Sequence, residues 1–188
     1  MQEPDSELIK SAAAGDEQAF AELYDRHQAR VYRFALLLSG NSAVAEEVTQ
    51  EVFLALIREA FTYDPERGAL SAYLCGVARN LVRRSLARDR VTVSIEDENQ
   101  WAAGTDVAGD LAEQERAESL RQAVLALPLR YREVVTLCHI EDLSYREAAE
   151  ILECSEGTIC SRLSRARALL LQKMTRRLRG CETCIKTT

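Results

Sequence analysis

The chain lacks the features that would mark a membrane protein, a secreted protein or an enzyme. No apolar run approaches the roughly 20 residues a membrane-spanning helix needs. The N-terminus, MQEPDSELIK, is acidic and has neither the basic start nor the apolar core of a secretory signal. A cytoplasmic location is therefore expected, without direct membrane insertion. There is no Gly-rich phosphate loop and no Ser, Cys or His arrangement resembling an activated nucleophile, so neither catalysis nor a cofactor is expected. Strand alternation and repeats of 20–50 residues are also absent. His27 and His139 are isolated. Of the 6 cysteines, only Cys181 and Cys184 form a CxxC pair. With no second CxxC and no His-rich segment, that pair is half of a zinc site at most. It reads as a reduced tail over 181–188, with a metal or redox role as the other reading. Cys75, Cys138 and Cys160 fall within helical patterns, where free cysteine acts as a small hydrophobe.

What the chain does have is helical periodicity. Phe20, Leu23, Tyr24, Val31, Phe34, Ala35 and Leu38 recur at helical spacing over Asp16–Ser39. Asn41 or Ser42 can cap a helix over Ala43–Ala60 that points Val44, Val48, Val52, Phe53, Leu56 and Ile57 inward. Tyr63–Gly68 is a loop punctuated by Pro65 and Gly68. A further helix runs from Ser71 to about Arg88. Val91–Asp110 is acidic, carries the lone Trp101 and has no helical period, as a flexible linker would. Helical pattern resumes over Leu111–Leu127, breaks at Pro128 and continues over Tyr131–Ile140. The fold class expected is all-α: two small helical domains joined by a flexible linker. Their bounds are 1–90 and 111–180, with the linker at 91–110.

Leu143–Leu171 carries the most information. Ser144 and Glu147 have the spacing of a capping box, so a helix starts near Tyr145. Ala148, Ala149, Ile151 and Leu152 give it a small apolar inner side. Glu153-Cys154 breaks the run, and Ser155 can cap a second helix. At about 100° per residue, Ile159, Leu163, Ala166 and Leu170 share one face, while Thr158, Ser161, Arg162 and Arg165 share another. Two short helices with a tight turn, the second with a basic and hydroxylic outer face, form a helix-turn-helix. The arginines can read guanine edges and the hydroxyls can contact bases or phosphates.

The formal net charge of −6 seems ill suited to DNA, but its distribution is not. Arg162–Arg179 holds seven basic residues and no acid. Arg79–Arg90 holds five arginines against one acid, Asp89. The acids concentrate in Glu3–Glu22, Glu46–Glu59 and Glu96–Glu118. A polyanion responds to the local patch more than to the total.

Three segments in order, VAEEVTQEVFLALI (Val44–Ile57), FTYDPERGALSAYLCGVARNLVRR (Phe61–Arg84) and LPLRYREVVTLCHIEDLSYREAAEILECSEGTICSRLSRARALL (Leu127–Leu170), resemble the extracytoplasmic-function sigma factors, two-domain bacterial transcription initiation factors. The resemblance implies a role for each segment. The helix over Val44–Ile57 would dock on core RNA polymerase at the β′ clamp helices, with Glu47, Gln50 and Glu51 at its polar positions. The β subunit would be a further polymerase partner. Phe61–Arg88 would open and read the −10 promoter element, with Tyr73, Arg79, Asn80, Arg83 and Arg84 as contacts and the Tyr63–Gly68 loop for base capture. The helix-turn-helix would read the −35 element through Ser155, Glu156, Thr158, Ser161, Arg162 and Arg165, with Arg146 on a phosphate. The sequence departs from the family pattern at Leu70, Tyr73, Gly76 and Cys160. An anti-sigma factor is an implied partner, and the free protein is expected to be a monomer.

Two other readings compete. A dimeric helix-turn-helix repressor or activator would use its N-terminal half for sensing or dimerisation and would bind duplex tightly without polymerase. An enzyme with an appended DNA module would need a catalytic constellation, and none is present.

Overall fold

The computed structural model describes residues 3–59, 63–92 and 111–184, with the backbone alone at 89–92, 111–117 and 173–184. Among these residues the regular structure is helical throughout, and the chain divides into two units. The linker expected over 91–110 lies outside the described residues, except that residues 91 and 92 continue a helix.

The first unit comprises α1 (Asp5–Ala13), α2 (Glu17–Ser39), α3 (Ser42–Arg58) and α4 (Leu70–Thr92). Its helix ends are fixed by short polar side chains. The Asp16 carboxylate accepts from the Gln18 and Ala19 N–H groups at 2.9 and 3.2 Å, capping α2. Gly40, at φ 74°, ends α2 in the left-handed conformation that glycine adopts without steric cost. The next residue, Asn41, caps α3 by accepting from Ala43 and Val44 N–H. This two-residue joint folds α3 back against α2. Their shared core holds Leu23, Phe34, Leu38, Val52, Phe53 and Leu56, all buried. Tyr24 and Phe53 pack with ring centroids 4.8 Å apart. α4 closes the core with Leu74, Cys75, Ala78 and Val82.

Sequence periodicity does not reveal α1. It has only nine residues, and Leu8, Ile9 and Ala12 are its buried positions. Polar contacts distant in sequence hold it to α2. Arg26 donates to the Asp5 carboxylate at 2.8 Å, and His27 Nε2 donates to the other Asp5 oxygen at 2.9 Å.

The second unit comprises α5 (Leu111–Leu125), α6 (Leu129–Val135), a π-helical turn (Thr136–Ile140), α7 (Tyr145–Ile151) and α8 (Glu156–Cys184). α6 is its central helix, and every residue from Glu133 to Cys138 is buried. Such all-round burial includes polar groups, namely Glu133, Thr136 and Glu141. Arg132 donates to the Leu127 carbonyl at 3.1 Å and also to the Leu125 carbonyl, stapling α6 to the end of α5. Burial lowers the Arg132 pKa. The continuous α-helix expected to Ile140 instead widens after Val135, and Glu141 N–H donates to Thr136 O at 2.9 Å.

The capping box at the start of α7 is present. Glu147 N–H donates to Ser144 Oγ at 3.2 Å, and Ser144 N–H donates to the Glu147 carboxylate at 2.8 Å. α7 ends at Glu153, whose φ is 51°. Cys154 N–H then reaches Ala149 O at 3.0 Å and Glu153 N–H reaches Glu150 O at 3.3 Å. This is the Schellman pattern, with glutamate where glycine is usual. Ser155 Oγ accepts from Thr158 N–H at 3.3 Å to start α8. The backbone of α8 is helical as far as Cys184, so Cys181 and Cys184 stand in its last turns and not in a separate tail. The metal or redox expectation for this pair concerns side chains outside the described ones.

A Cβ in the left-handed region is strained by about 1 kcal/mol. Glu153→Gly is therefore expected to raise the stability of the second unit by up to about 1 kcal/mol, offset in part by the entropy of glycine in the unfolded chain. Urea unfolding followed by circular dichroism measures this, and a lower midpoint would show that the Glu153 side chain contributes contacts worth more than the strain.

Candidate nucleic-acid interface

α8 is set in place by what it buries. Ile159, Leu163 and Ala166 are at most 2% exposed and pack inward. Helical geometry then turns Thr158, Ser161, Arg162 and Arg165 outward together. Ser161 and Arg165 are exposed, as are Ser155 and Glu156 in the first turn, while Thr158 and Arg162 are half-buried. The hydroxyls are ordered locally. Ser155 Oγ and Thr158 Oγ1 lie 3.0 Å apart, and Ser161 Oγ donates to Thr158 O at 2.9 Å. All six residues expected on the groove face from sequence are thus brought together.

Arg146 lies on the exposed side of α7, paired with Glu150 at 3.2 Å. A shallow concavity between α7 and the start of α8 is lined by Arg146, Glu150, Glu153, Cys154, Ser155 and Glu156. Three carboxylates therefore stand near the one arginine there. Cys160, read from sequence as a small hydrophobe within a helix, is exposed on α8. It lies on the flank of α8 away from Arg162 and Arg165. On that flank Arg167 donates to His139 Nε2 at 3.2 Å.

The opposite flank holds a residue that periodicity does not single out. Tyr131 on α6 is only 7% exposed. The Arg130 guanidinium lies 4.7 Å from its ring centroid. Arg165, and with it Arg130, stabilises the phenolate and lowers the Tyr131 pKa.

In the first unit, Asn80, Arg83 and Arg84 are exposed along α4. Arg79 is not presented to solvent. It is 7% exposed, because it shares the buried face of α4 with Cys75 and Val82, four residues before and three after. Tyr73 is half-buried against Tyr63, with centroids 5.6 Å apart. The Tyr63 hydroxyl donates to Gly68 O at 3.2 Å and so closes the loop beside α4. Burial, followed by the charges of Asp5 and Asp64, raises the Tyr63 pKa.

On α3, Glu47, Gln50 and Glu51 are exposed side by side. The same stripe contains Leu54, one turn further on and 48% exposed. Sequence reasoning passed over Leu54, although its spacing of seven from Glu47 and three from Glu51 already puts it on that stripe. Glu47 also pairs with Arg88 of α4 at 3.7 Å. Among the described residues, no group of three or more His, Cys, Asp or Glu side chains could hold a metal, and no helix is long and apolar enough to cross a membrane.

Comparison with known proteins assigns both units. Residues 23–92 match the Sigma-70 region 2 model and residues 117–170 match the Sigma-70, region 4 model. The ECF RNA polymerase sigma factor SigE of Mycolicibacterium smegmatis is 36% identical over 179 residues, covering 89% of this chain and 68% of that protein. SigW of Bacillus subtilis is 29% identical over 88% of this chain and 94% of its own length. In three dimensions the chain resembles the sigma factor RpoE of Bartonella quintana, solved with the anti-sigma factor NepR. The TM-score is 0.67 at 26% identity, over 83% of this chain and 96% of that one. It also resembles CnrH, solved with the cytosolic domain of CnrY, with TM-score 0.67 at 25% identity over 92% and 97%. A region 2 helical unit followed by a region 4 helix-turn-helix, with relatives aligned across nearly the whole chain, places this protein in the extracytoplasmic-function family of RNA polymerase sigma factors, which are transcription initiation factors.

Proposed function

We propose that this chain binds bacterial core RNA polymerase through α3 and directs it to promoters whose −10 and −35 elements are read by α4 and α8. The observation that carries this reading is the segregation of charge. An acidic stripe with one exposed leucine lies on α3, and a cationic, hydroxyl-bearing face lies on α8.

Each surface suits its proposed target. Glu47, Gln50 and Glu51 favour a basic protein surface and repel DNA. Leu54 supplies an apolar anchor at the C-terminal end of the stripe, the kind of residue that contributes strongly to interface energetics when buried. Among the family's polymerase contacts, the β′ clamp helices are the proposed target of this stripe, with β as a further contact. On α4, Asn80, Arg83 and Arg84 would hold the backbone of an opened strand, with the Tyr63–Gly68 loop and Tyr73 taking a flipped base. Arg79, being buried, would position this face without touching DNA. On α8, Arg162, Arg165 and Ser161 would enter the major groove, with Ser155, Glu156 and Thr158 at its leading end. Arg146 would contact a phosphate once DNA competes for it with Glu150.

Neither unit alone makes enough contacts for tight promoter binding. Core polymerase would hold both at a set spacing, with residues 91–110 as the tether. The second contact then becomes nearly intramolecular, worth about 10²–10⁴ in affinity. The protein would act in the bacterial cytoplasm, as a monomer when free. RpoE and CnrH are each solved with a bound partner. By analogy, an anti-sigma factor would restrain this chain by covering its polymerase-binding surfaces.

The test is a pair of binding measurements on the full chain. Fluorescently labelled chain is expected to bind core polymerase as a monomer, and Leu54→Asp is expected to weaken that binding at least about tenfold with the fold intact. Duplex from upstream of the protein's own gene should be bound weakly by the free chain and tightly by the complex. A stable homodimer that grips duplex tightly without polymerase would overturn the proposal in favour of a conventional repressor or activator.

A further inference from the structure

We propose that Tyr63 is the positioning residue of the Tyr63–Gly68 loop, its hydroxyl holding the loop in one shape for an extruded base. The inference rests on the proposed reading of the −10 element by the first unit and names the group that orders the loop before DNA arrives.

Order in this loop is not a by-product of packing. Asp64, Pro65, Glu66 and Arg67 are all exposed, so fixing them costs backbone entropy and adds nothing to the core. They are nevertheless fixed. Pro65 presets its own φ at the start of a 3₁₀ turn over Pro65–Arg67. The Asp64 carboxylate accepts from Glu66 N–H at 3.0 Å, and Asp64 O accepts from Arg67 N–H at 3.1 Å. These contacts order the middle of the loop. Its two ends are joined by the Tyr63 hydroxyl, which donates to Gly68 O at 3.2 Å.

Gly68 is shaped for that contact. Its φ of 149° and ψ of 176° lie in a region that is essentially glycine's alone. A Cβ there would meet nothing within 4 Å, so backbone conformation, not space, requires the glycine. That conformation turns the Gly68 carbonyl to the phenol. On its other side the half-buried Tyr63 ring packs on Tyr73, in the first turn of α4, with centroids 5.6 Å apart and planes at 56°. The loop is thereby tied to the helix that carries Asn80, Arg83 and Arg84. Burial raises the Tyr63 pKa, which keeps the phenol protonated and a donor. A loop ordered beforehand loses less conformational entropy when it takes a base, and its fixed shape discriminates among bases.

Selection from a promoter pool randomised at both elements, with holoenzyme assembled from core polymerase and the full chain, tests the inference. Tyr63→Phe keeps the ring and removes the hydroxyl. It is expected to relax base preference about three- to tenfold within the −10 element, the range of one net hydrogen bond, with the −35 motif unchanged. Gly68→Ala cannot hold its carbonyl in place without strain, so it should relax the same positions, and the double variant should match it. In the free chain, amide exchange at Glu66 and Arg67 should quicken by a similar factor in Tyr63→Phe, a readout independent of DNA. A −10 preference retained in full by Tyr63→Phe, or unchanged exchange at both amides, would overturn the inference and leave the −10 reading standing. So would a loss spread evenly over both elements with a lowered unfolding midpoint, the mark of a purely structural role. A wild-type holoenzyme that enriches no −10 motif would overturn the reading by the first unit and the inference with it.

Discussion

The outward face of α8 is determined by its inward one. Ile159, Leu163 and Ala166 are locked against α6 and α7, and a helix rotated by one residue would bury Arg162 or expose Leu163. The constraint extends upstream. α7 must end within a few residues for α8 to start at the right place, and it does so through Glu153 in the left-handed region and Ser155 as the next cap. The capping box at Ser144 and Glu147 fixes the other end of α7. A short helix of 7 residues contributes little intrinsic stability. Its caps and its packing against α8 therefore define the turn, and the turn defines which side chains of α8 face outward together.

The same logic governs α3. Val48, Val52, Phe53 and Leu56 are drawn into the first unit's core, leaving Glu47, Gln50, Glu51 and Leu54 outside. Helical geometry thus separates surfaces of opposite character within a chain of net charge −6. Exposed acids gather on α3, and exposed arginine and hydroxyl side chains gather on α8. Mixing the two on one face would weaken attraction to a partner of either sign, since some charges would then meet partner groups of their own sign.

Much of this was legible in the sequence. The caps at Asn41, Ser144 and Ser155 are local, each a side chain within three residues of the N–H it satisfies, so spacing alone finds them. Helical period places the groove face of α8 for the same reason. What stayed hidden depends on partners distant along the chain or on unusual backbone. α1 has too few apolar residues to show a period and is held by Asp5 reaching Arg26 and His27. Glu153 adopts a conformation that sequence assigns to glycine. The Arg165 guanidinium acts on the Tyr131 phenol only after α6 and α8 pack. Arg79 is a different failure: its spacing from Cys75 and Val82 marks it as inward, but its charge outweighed its angle. Leu54 errs the other way, an apolar residue read past although its spacing from Glu47 and Glu51 marks it as outward.

Under the proposed function, two small units act as one promoter-reading device only when polymerase holds them. Run-off transcription with purified bacterial core polymerase, with and without this protein, on a pool of promoter regions from its own genome tests that claim most directly. Transcripts are expected that require the protein and whose start sites share two upstream elements at constant spacing. Absence of any protein-dependent transcript, or transcripts that share one element at variable distance, would contradict it.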